Sequence, residues 1–563
     1  MSDLHFSFWP KNHPKELELP QTSIWQNIQA TAKRVPDKTF ILYYDTPITF
    51  SEFKNECEDL AGYLHQDCGI NKGDRVLLFM QNCPQFLISY YAVLRINAVV
   101  VPINPMNLTL ELEHYIEDCG SNTIVVSQEL LPQVLPILSQ KPSLLKHVIV
   151  SCYQDYLLRP TDLRLPEFLK TPKNTLVNER SSNPGLVLWQ DALKSRITPP
   201  PHNWTPDDLC VMPYTSGTTG KPKGCMHTHQ TVMSTIIASE HWFNAKSEDI
   251  RLAVLPQFHV TGMQSGMNCP VYAGSTIVLL SRWDRELAAQ CIQRYKVTSF
   301  SCIPTMVVDF LANPNLAQYD LSSLVRMNGG GTAMPQAIAE KLLEMGLTFI
   351  EGYGLSETIA PSHINPPHRA KKQCLGIPIY GVDSFIVDPT TLERVPHGES
   401  GEIVISGPQV FKGYWNRPHD TEAALINING RIYLRTGDLA REDEDGYFFM
   451  VDRLKRMINA SGYKVWPAEV ELMLYRHPSI QEACVISTKD AYRGETVKAL
   501  IVLKADAKGK TKAEEIIHWC QQEMAAYKAP KLIEFVDTLP KSGSGKILWR
   551  QLQDVEISKN HLN

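Results

Sequence analysis

No Cys-x-x-Cys pair occurs among the 13 cysteines, which are odd in number and scattered. Reduced, mostly buried thiols fit this pattern better than a disulfide framework does, and a cytoplasmic chain is expected. Nor is there a membrane-spanning run. The longest apolar stretch, residues 86–105, carries Arg95 and Asn97 near its middle. A lipid-spanning helix would bury both at high cost, so the stretch predicts a buried helix running into the strand VVVPIN. An integral membrane protein is excluded, while peripheral membrane association stays open. The first residues, MSDLHFSFWPKNHPKE, lack the charged-then-apolar layout of a secretory leader. No basic block exists: 55 basic against 60 acidic side chains leave a net charge of −5, which argues against nucleic acid as a partner. Internal repeats and low-complexity tracts are absent.

What is present is ordinary globular material, 43% hydrophobic and 20% charged over 563 residues, enough for one large and one small domain. Short β-rich runs recur at 75 (RVLLFM), 123 (TIVVS), 147 (HVIVS), 251 (RLAVLP), 275 (STIVLL) and 299 (SFSCIP), with helical patterns between several of them. One helix is expected after Asp284, a suitable N-cap, with Leu287, Ala288, Cys291, Ile292 and Tyr295 on one face. Continuous apolar strands alternating with helices predict an α/β fold with parallel sheets. Residues 154–208, rich in Pro, Asn and Ser, read as an irregular connection. From about 380 the pattern becomes β-rich with turns, as in a barrel or meander. After Asp452 it becomes a small α+β segment: a helix over 467–475, two strands, and a helix opened by a capping box of Thr511 and Glu514. The expected domains are 1–451 and 452–563, with a hinge near 452–455.

The most informative string is YTSGTTGKPKG at 214–224, which follows the apolar LCVMP. Glycines let a backbone approach a ligand closely, and hydroxyls and amides supply donors, so a strand entering such a loop suits phosphates. The spacing is not that of a Walker A loop. A flexible Ser/Gly connector is the other reading; the two lysines and the preceding strand favour phosphate. His227 and His229 in MHTH have no Cys or further His at zinc-like spacing, so no transition metal is assigned.

As a complete string this segment resembles the phosphate-loop signature of the adenylate-forming superfamily, which includes acyl-CoA synthetases, luciferases and peptide-synthetase adenylation domains. The resemblance continues in order along most of the chain: GGGTAMP at 329–335, EGYGLSET at 351–358, YLRTGD at 433–438, DRLK at 452–455 and PKSGSGKILWR ending at 550. It implies a large N-terminal domain binding ATP and the acid, and a small mobile α+β C-terminal domain. It assigns Lys546, Thr215 and His259 to catalysis, the histidine at the acyl pocket. Nucleotide contacts would fall on Thr215, Ser216, Gly217, Thr218, Thr219, Gly220, Lys221 and Lys223; on Gly330, Gly331 and Thr332; and on Glu351, Gly352, Tyr353, Gly354 and Ser356, with Tyr353 against adenine. Asp438 would bind the ribose, Arg453 ribose or phosphate, and Glu357 the Mg²⁺. Lys455 would be the hinge. Ser461 and Gly462, in ASGYK, would line a pantetheine tunnel.

The implied reaction has two halves. A carboxylate attacks the α-phosphate of ATP, releasing pyrophosphate; a thiol then attacks the acyl-adenylate, releasing AMP. Coenzyme A is the expected acceptor, because 17 residues after Lys546 leave no room for a carrier domain. A free carrier protein, a luciferase-like oxygenation and a catalytically silent nucleotide-binding relative are the alternatives. The acyl pocket is expected from the helix after His229, the His259 region, 301–307 and 329–331. These segments are apolar, so a medium- or long-chain fatty acid is favoured over an amino acid, with an aryl acid next. Monomer and homodimer both stay open.

Overall fold

In the computed structural model the chain is described at residues 4–10, 13–15, 17–173, 183, 185–215, 222–331, 334–453, 456–460, 463–490, 494–542 and 545–562. It divides into two compact units, Asp3–Asp383 with Ile405–Leu434, and Ser384–Val404 with Arg435–Asn563.

The first unit is built on two sheets. One has seven strands, with Arg75–Phe79 between Val99–Pro102 and Thr123–Ser127, all parallel. The other has nine. Its parallel stretch runs in the order Phe349–Tyr353, Arg326–Gly330, Ser299–Ser301, Ile250–Ala253, Thr276–Leu279, Thr39–Tyr43. The strands Arg75–Phe79, Val99–Pro102, Thr123–Ser127 and Thr276–Leu279 are buried at nearly every residue, as strands covered on both faces are, whereas Arg326–Gly330 is only partly buried. The helix Pro84–Arg95 is buried from Pro84 to Leu94 and shares one core with residues of both sheets, including Leu78 and Ile277. Its apolar run stops at Arg95, whose guanidinium donates to the Pro200 carbonyl (2.8 Å), and Asn97 takes a left-handed turn (φ 57°) into the strand Val99–Pro102. The two polar residues mark the helix end, as the sequence implied.

One expectation needs correcting. The stretch 154–208 is not simply irregular. Leu186–Leu188 adds a parallel strand beside His147–Ser151, and the helix Trp189–Lys194 follows. Trp189 is buried and its indole donates to the Tyr156 hydroxyl (3.2 Å). A four-residue apolar run, Leu186 to Trp189, set among Pro, Ser and Asn gave too short a periodic signal.

In the second unit the strands Ile480–Asp490 and Gly494–Leu503 form a long antiparallel pair, and Leu532–Phe535 runs parallel to the second. The expected helix over 467–475 is present as Pro467–Leu474, with Tyr475 its C-cap. The helix Ala513–Glu523 starts one residue later than expected: Lys512, not Thr511, is the N-cap, and its N–H donates to Glu515 rather than Glu514 closing the box. A further helix, Trp549–Leu562, escaped the sequence reading. A buried polar contact anchors it: the Glu556 carboxylate accepts from Lys498 Nζ and the Thr488 hydroxyl, both at 2.7 Å. An apolar-periodicity search is blind to such an anchor.

All thirteen cysteines are buried free thiols. Among the described residues no helix is long and apolar enough to cross a membrane.

Candidate active site

The strand Leu209–Val211 leads into a short hairpin in which Thr215 faces Lys223 and Tyr214 faces Gly224. Six of the candidate residues, Ser216, Gly217, Thr218, Thr219, Gly220 and Lys221, lie outside the described residues. What is fixed is the stem. The Tyr214 hydroxyl donates to the buried Asp118 carboxylate (2.7 Å), which also takes Arg417 (2.6 Å). Lys223 pairs with Asp420 (2.5 Å) and lies 5.3 Å from the centre of the Tyr414 ring.

The second group sits where the parallel strands Arg326–Gly330 and Phe349–Tyr353 end. Open α/β sheets collect ligands at this edge. Gly330 pairs with Gly352 across the ladder, and a Cβ on Gly330 would fall 2.1 Å from the Gly352 carbonyl oxygen. Only a glycine at 330 lets the two strand ends lie this close. Gly331 follows with φ 94°, and Thr332 lies outside the described residues. Glu351 is buried, and one of its oxygens accepts from the Met334 N–H (3.0 Å). Burial raises its pKa to about 7, against the pull of backbone donors at Met334, Cys374 and Gln373. Its side chain thus ties the strand to the turn after Gly331. Tyr353 is buried, edge-on to His363.

The chain then passes Gly354 into the turn Ser356–Thr358. His227 Nε2 donates to the Ser356 carbonyl (2.7 Å), and burial drops its pKa to about 4, so the imidazole is neutral. His229 is buried with a pKa near 3, and its Nδ1 accepts from the Ile24 N–H (3.3 Å). Both rings serve the packing. The Glu357 carboxylate accepts from the Tyr414 hydroxyl (2.7 Å), and its carbonyl from the Phe411 N–H (2.9 Å). Thr215, Lys223, Ser356 and Glu357, far apart in sequence, thus share one neighbourhood. His259 is half-buried beyond the strand Ile250–Ala253, where its Nδ1 caps a short helix by accepting from the Thr261 N–H (3.3 Å).

The remaining candidates belong to the second unit. Asp438 is buried (1% exposed) and pairs across strands with Arg453. The turn before it is held by Glu402, whose carboxylate takes Arg435 (2.5 Å) and the Gly437 N–H (2.9 Å). Lys455, Ser461 and Gly462 lie outside the described residues. Next to them, Arg456 is anchored in the unit by Glu471 (2.5 Å), and the Asp452 carboxylate accepts from the Ala468 N–H (2.6 Å). Lys546 is half-buried in a tight loop: its carbonyl accepts from the Ser542 N–H (2.7 Å) and its own N–H donates to the Ser542 hydroxyl (3.2 Å).

Residues 28–415 match the AMP-binding enzyme family, and residues 469–546 match the AMP-binding enzyme C-terminal domain. The chain belongs to the AMP-binding enzyme family. A long-chain-fatty-acid–CoA ligase of Bacillus subtilis is 36% identical over 558 residues, 98% of each chain. A feruloyl-CoA synthase of an Amycolatopsis species is 33% identical over 92% of this chain and 96% of its own. The crystal structure of the anthranilate CoA ligase AuaEII with anthranoyl-AMP superposes with a TM-score of 0.83 at 27% identity, covering 97% of this chain and 99% of that one. This AMP-binding enzyme is an AMP-forming acid–CoA ligase that uses ATP and CoA.

Three residues of this AMP-binding enzyme went unnoticed in the sequence reading. Tyr414 and Asp118 were hidden because their partners lie across the fold rather than nearby in sequence. Glu402, in the β-rich run GEIVISG, carries no motif of its own, and it is buried under the 435–438 turn.

Proposed function

We propose that this ligase activates a long-chain fatty acid, with Lys546, Thr215 and His259 at the reacting groups and Glu357 as the metal carboxylate. One observation carries the choice of acid. Across residues 229–242, 256–262, 301–307 and 329–331, the segments expected around the acyl group, Glu240 is the sole Asp, Glu, Lys or Arg. It is closed off in a buried two-pronged pair with Arg251 (2.7 and 2.9 Å). Neither charge is left to receive an ammonium or a second carboxylate, and an apolar tail has no buried charge to desolvate. The long-chain-fatty-acid ligase relatives, aligned over 98% of the chain, support the same reading. An aryl acid is the second reading, favoured by the feruloyl-CoA synthase relative.

Adenylation needs a carboxylate oxygen placed in line with the α-phosphorus while pyrophosphate leaves. Backbone amides and hydroxyls of the 214–224 loop hold the phosphates, and Asp438 holds the ribose. The Lys546 ammonium neutralises charge shared by the carboxylate and the α-phosphate. CoA sulfur then attacks the acyl carbonyl and AMP departs. Mg²⁺ suits the Glu357 carboxylate, a hard oxygen donor already oriented by a phenol; when bound it neutralises phosphate charge.

The test is CoA-dependent AMP formation across short, medium, long and aromatic acids. Highest kcat/KM with long-chain acids is expected. A preference for cinnamic or benzoic acids would replace this reading with the aryl one, and no AMP with any acid would sink both.

A further inference from the structure

The segment 411–417, FKGYWNR, carries no residue to which the two-step reaction assigns a role, yet it touches both signature turns of the first unit. The Met226 N–H donates to the Gly413 carbonyl (3.0 Å), the Lys412 N–H donates to the Met226 carbonyl (2.9 Å), and the Trp415 N–H donates to the Gly224 carbonyl (2.8 Å). The segment therefore runs as an extra antiparallel ribbon beside the end of the phosphate-loop hairpin, with Cys225 facing Tyr414. On its other side the Phe411 N–H donates to the Glu357 carbonyl (2.9 Å). Its helical end is fixed too, since the Tyr414 N–H donates to the Thr421 hydroxyl (2.9 Å).

Tyr414 stands at the centre of these contacts. Its hydroxyl donates to Glu357 Oε1 at 2.7 Å. Its ring face lies 5.3 Å from Lys223 Nζ, within the range of a cation–π contact. One rigid side chain with two rotatable bonds thus meets the loop's positive charge through its face and the turn's negative charge through its edge. A carboxylate with one oxygen pinned by a phenol cannot rotate freely about its last bond. Groups of this kind orient metal-binding carboxylates, and their loss weakens metal binding by roughly 10- to 100-fold.

We propose that Tyr414 is a positioning residue that fixes the Glu357 carboxylate, and through its ring the Lys223 ammonium, in the arrangement that receives the magnesium–nucleotide phosphates. This rests on the reading of Glu357 as the metal carboxylate. The hydroxyl acts on the metal side and the ring on the loop side, and substitution separates them. Tyr414→Phe keeps the ring and loses only the proton donor. Tyr414→Ala loses both.

The experiment is calorimetric titration of the full-length protein with ATP, once with MgCl₂ and once with EDTA, alongside thermal denaturation. Tyr414→Phe should weaken ATP binding about tenfold in Mg²⁺ and leave binding in EDTA and the melting temperature unchanged. Tyr414→Ala should weaken binding in both media. Equal ATP binding by wild type and Tyr414→Phe in Mg²⁺, or equal losses with and without metal, would overturn the proposal. Glu357→Gln separates the two levels. If it removes the Mg²⁺ advantage while Tyr414→Phe does not, only the Tyr414 role fails. If Glu357→Gln itself keeps the full Mg²⁺ advantage, the metal reading of Glu357 falls and the Tyr414 proposal falls with it.

Discussion

Glu351 shows how a signature residue can act through the backbone. Its carboxyl is buried, ties the Met334 N–H, and keeps its proton to about pH 7. In the unfolded chain the same group gives up its proton near pH 4.5. Between those values the native state binds more protons than the unfolded state, so stability falls as pH rises through this window. The loss approaches about 3 kcal/mol by pH 8, from a shift of roughly two to three pK units. Glu351→Gln cannot ionise, and its amide oxygen can still accept from Met334. Urea denaturation at pH 5 and pH 8 should show wild type losing more stability than the variant over that interval. Parallel losses in the two proteins would rule this role out.

At the scale of elements, the candidate site is a meeting of a hairpin, two strand ends and a ribbon. The strand ends depend on the Gly330–Gly352 pair, where a single methyl at Gly330 would meet the Gly352 carbonyl at 2.1 Å. Gly330→Ala must therefore push the parallel strands apart, at a cost of about 1–3 kcal/mol. ATP affinity should drop at least tenfold, because a shift of about 1 Å in a positioning element costs up to a hundredfold. Calorimetry of nucleotide binding checks this, and wild-type affinity in a folded variant would contradict it. These elements differed in how readable they were. The strands RVLLFM, TIVVS and HVIVS and the helix after Asp284 announced themselves, because burial on both sides of a sheet or one face of a helix leaves a period in the sequence. The strand Leu186–Leu188 did not, being three residues long among turn formers. Neither did the helix Trp549–Leu562, which is held by the buried Glu556 carboxylate and by only two apolar contacts near its start, Trp549 and Leu552. The Thr511 box was misplaced by one residue because Glu514 and Glu515 both offer a carboxylate at the helix start.

For the whole molecule the decisive group is Lys546, which lies in the second unit while the phosphate-loop stem lies in the first. In the proposed two-step reaction the lysine serves adenylation alone, and the C-terminal domain turns about 452–455 before CoA attacks. Lys546→Ala should then lower the adenylation rate by at least about 10²-fold, the usual effect of removing one group that stabilises developing charge. It should largely spare thioester formation from supplied acyl-AMP. Pyrophosphate release and acyl-CoA formation, measured separately, test the split. Equal losses in both would contradict a lysine confined to the first step. The proposed turn would have to contend with two anchors on either side of 452–455, Asp452 on the Ala468 N–H and Arg456 on Glu471, both of them contacts within the second unit.

By itself the sequence determined the α/β class, the reduced buried thiols, the run of signature strings and hence the family chemistry. Each of these is written in local spacing or in composition, and neither needs the chain to be folded to be read. Tertiary structure alone decided which groups serve those strings. Tyr414 beneath Lys223 and against Glu357, Asp118 holding Tyr214 and Arg417, and Glu402 under the Asp438 turn are contacts between residues 33 to 299 positions apart. No period or motif encodes a contact across such a separation, because only the packing of sheets and ribbons brings a donor and its acceptor within 3 Å.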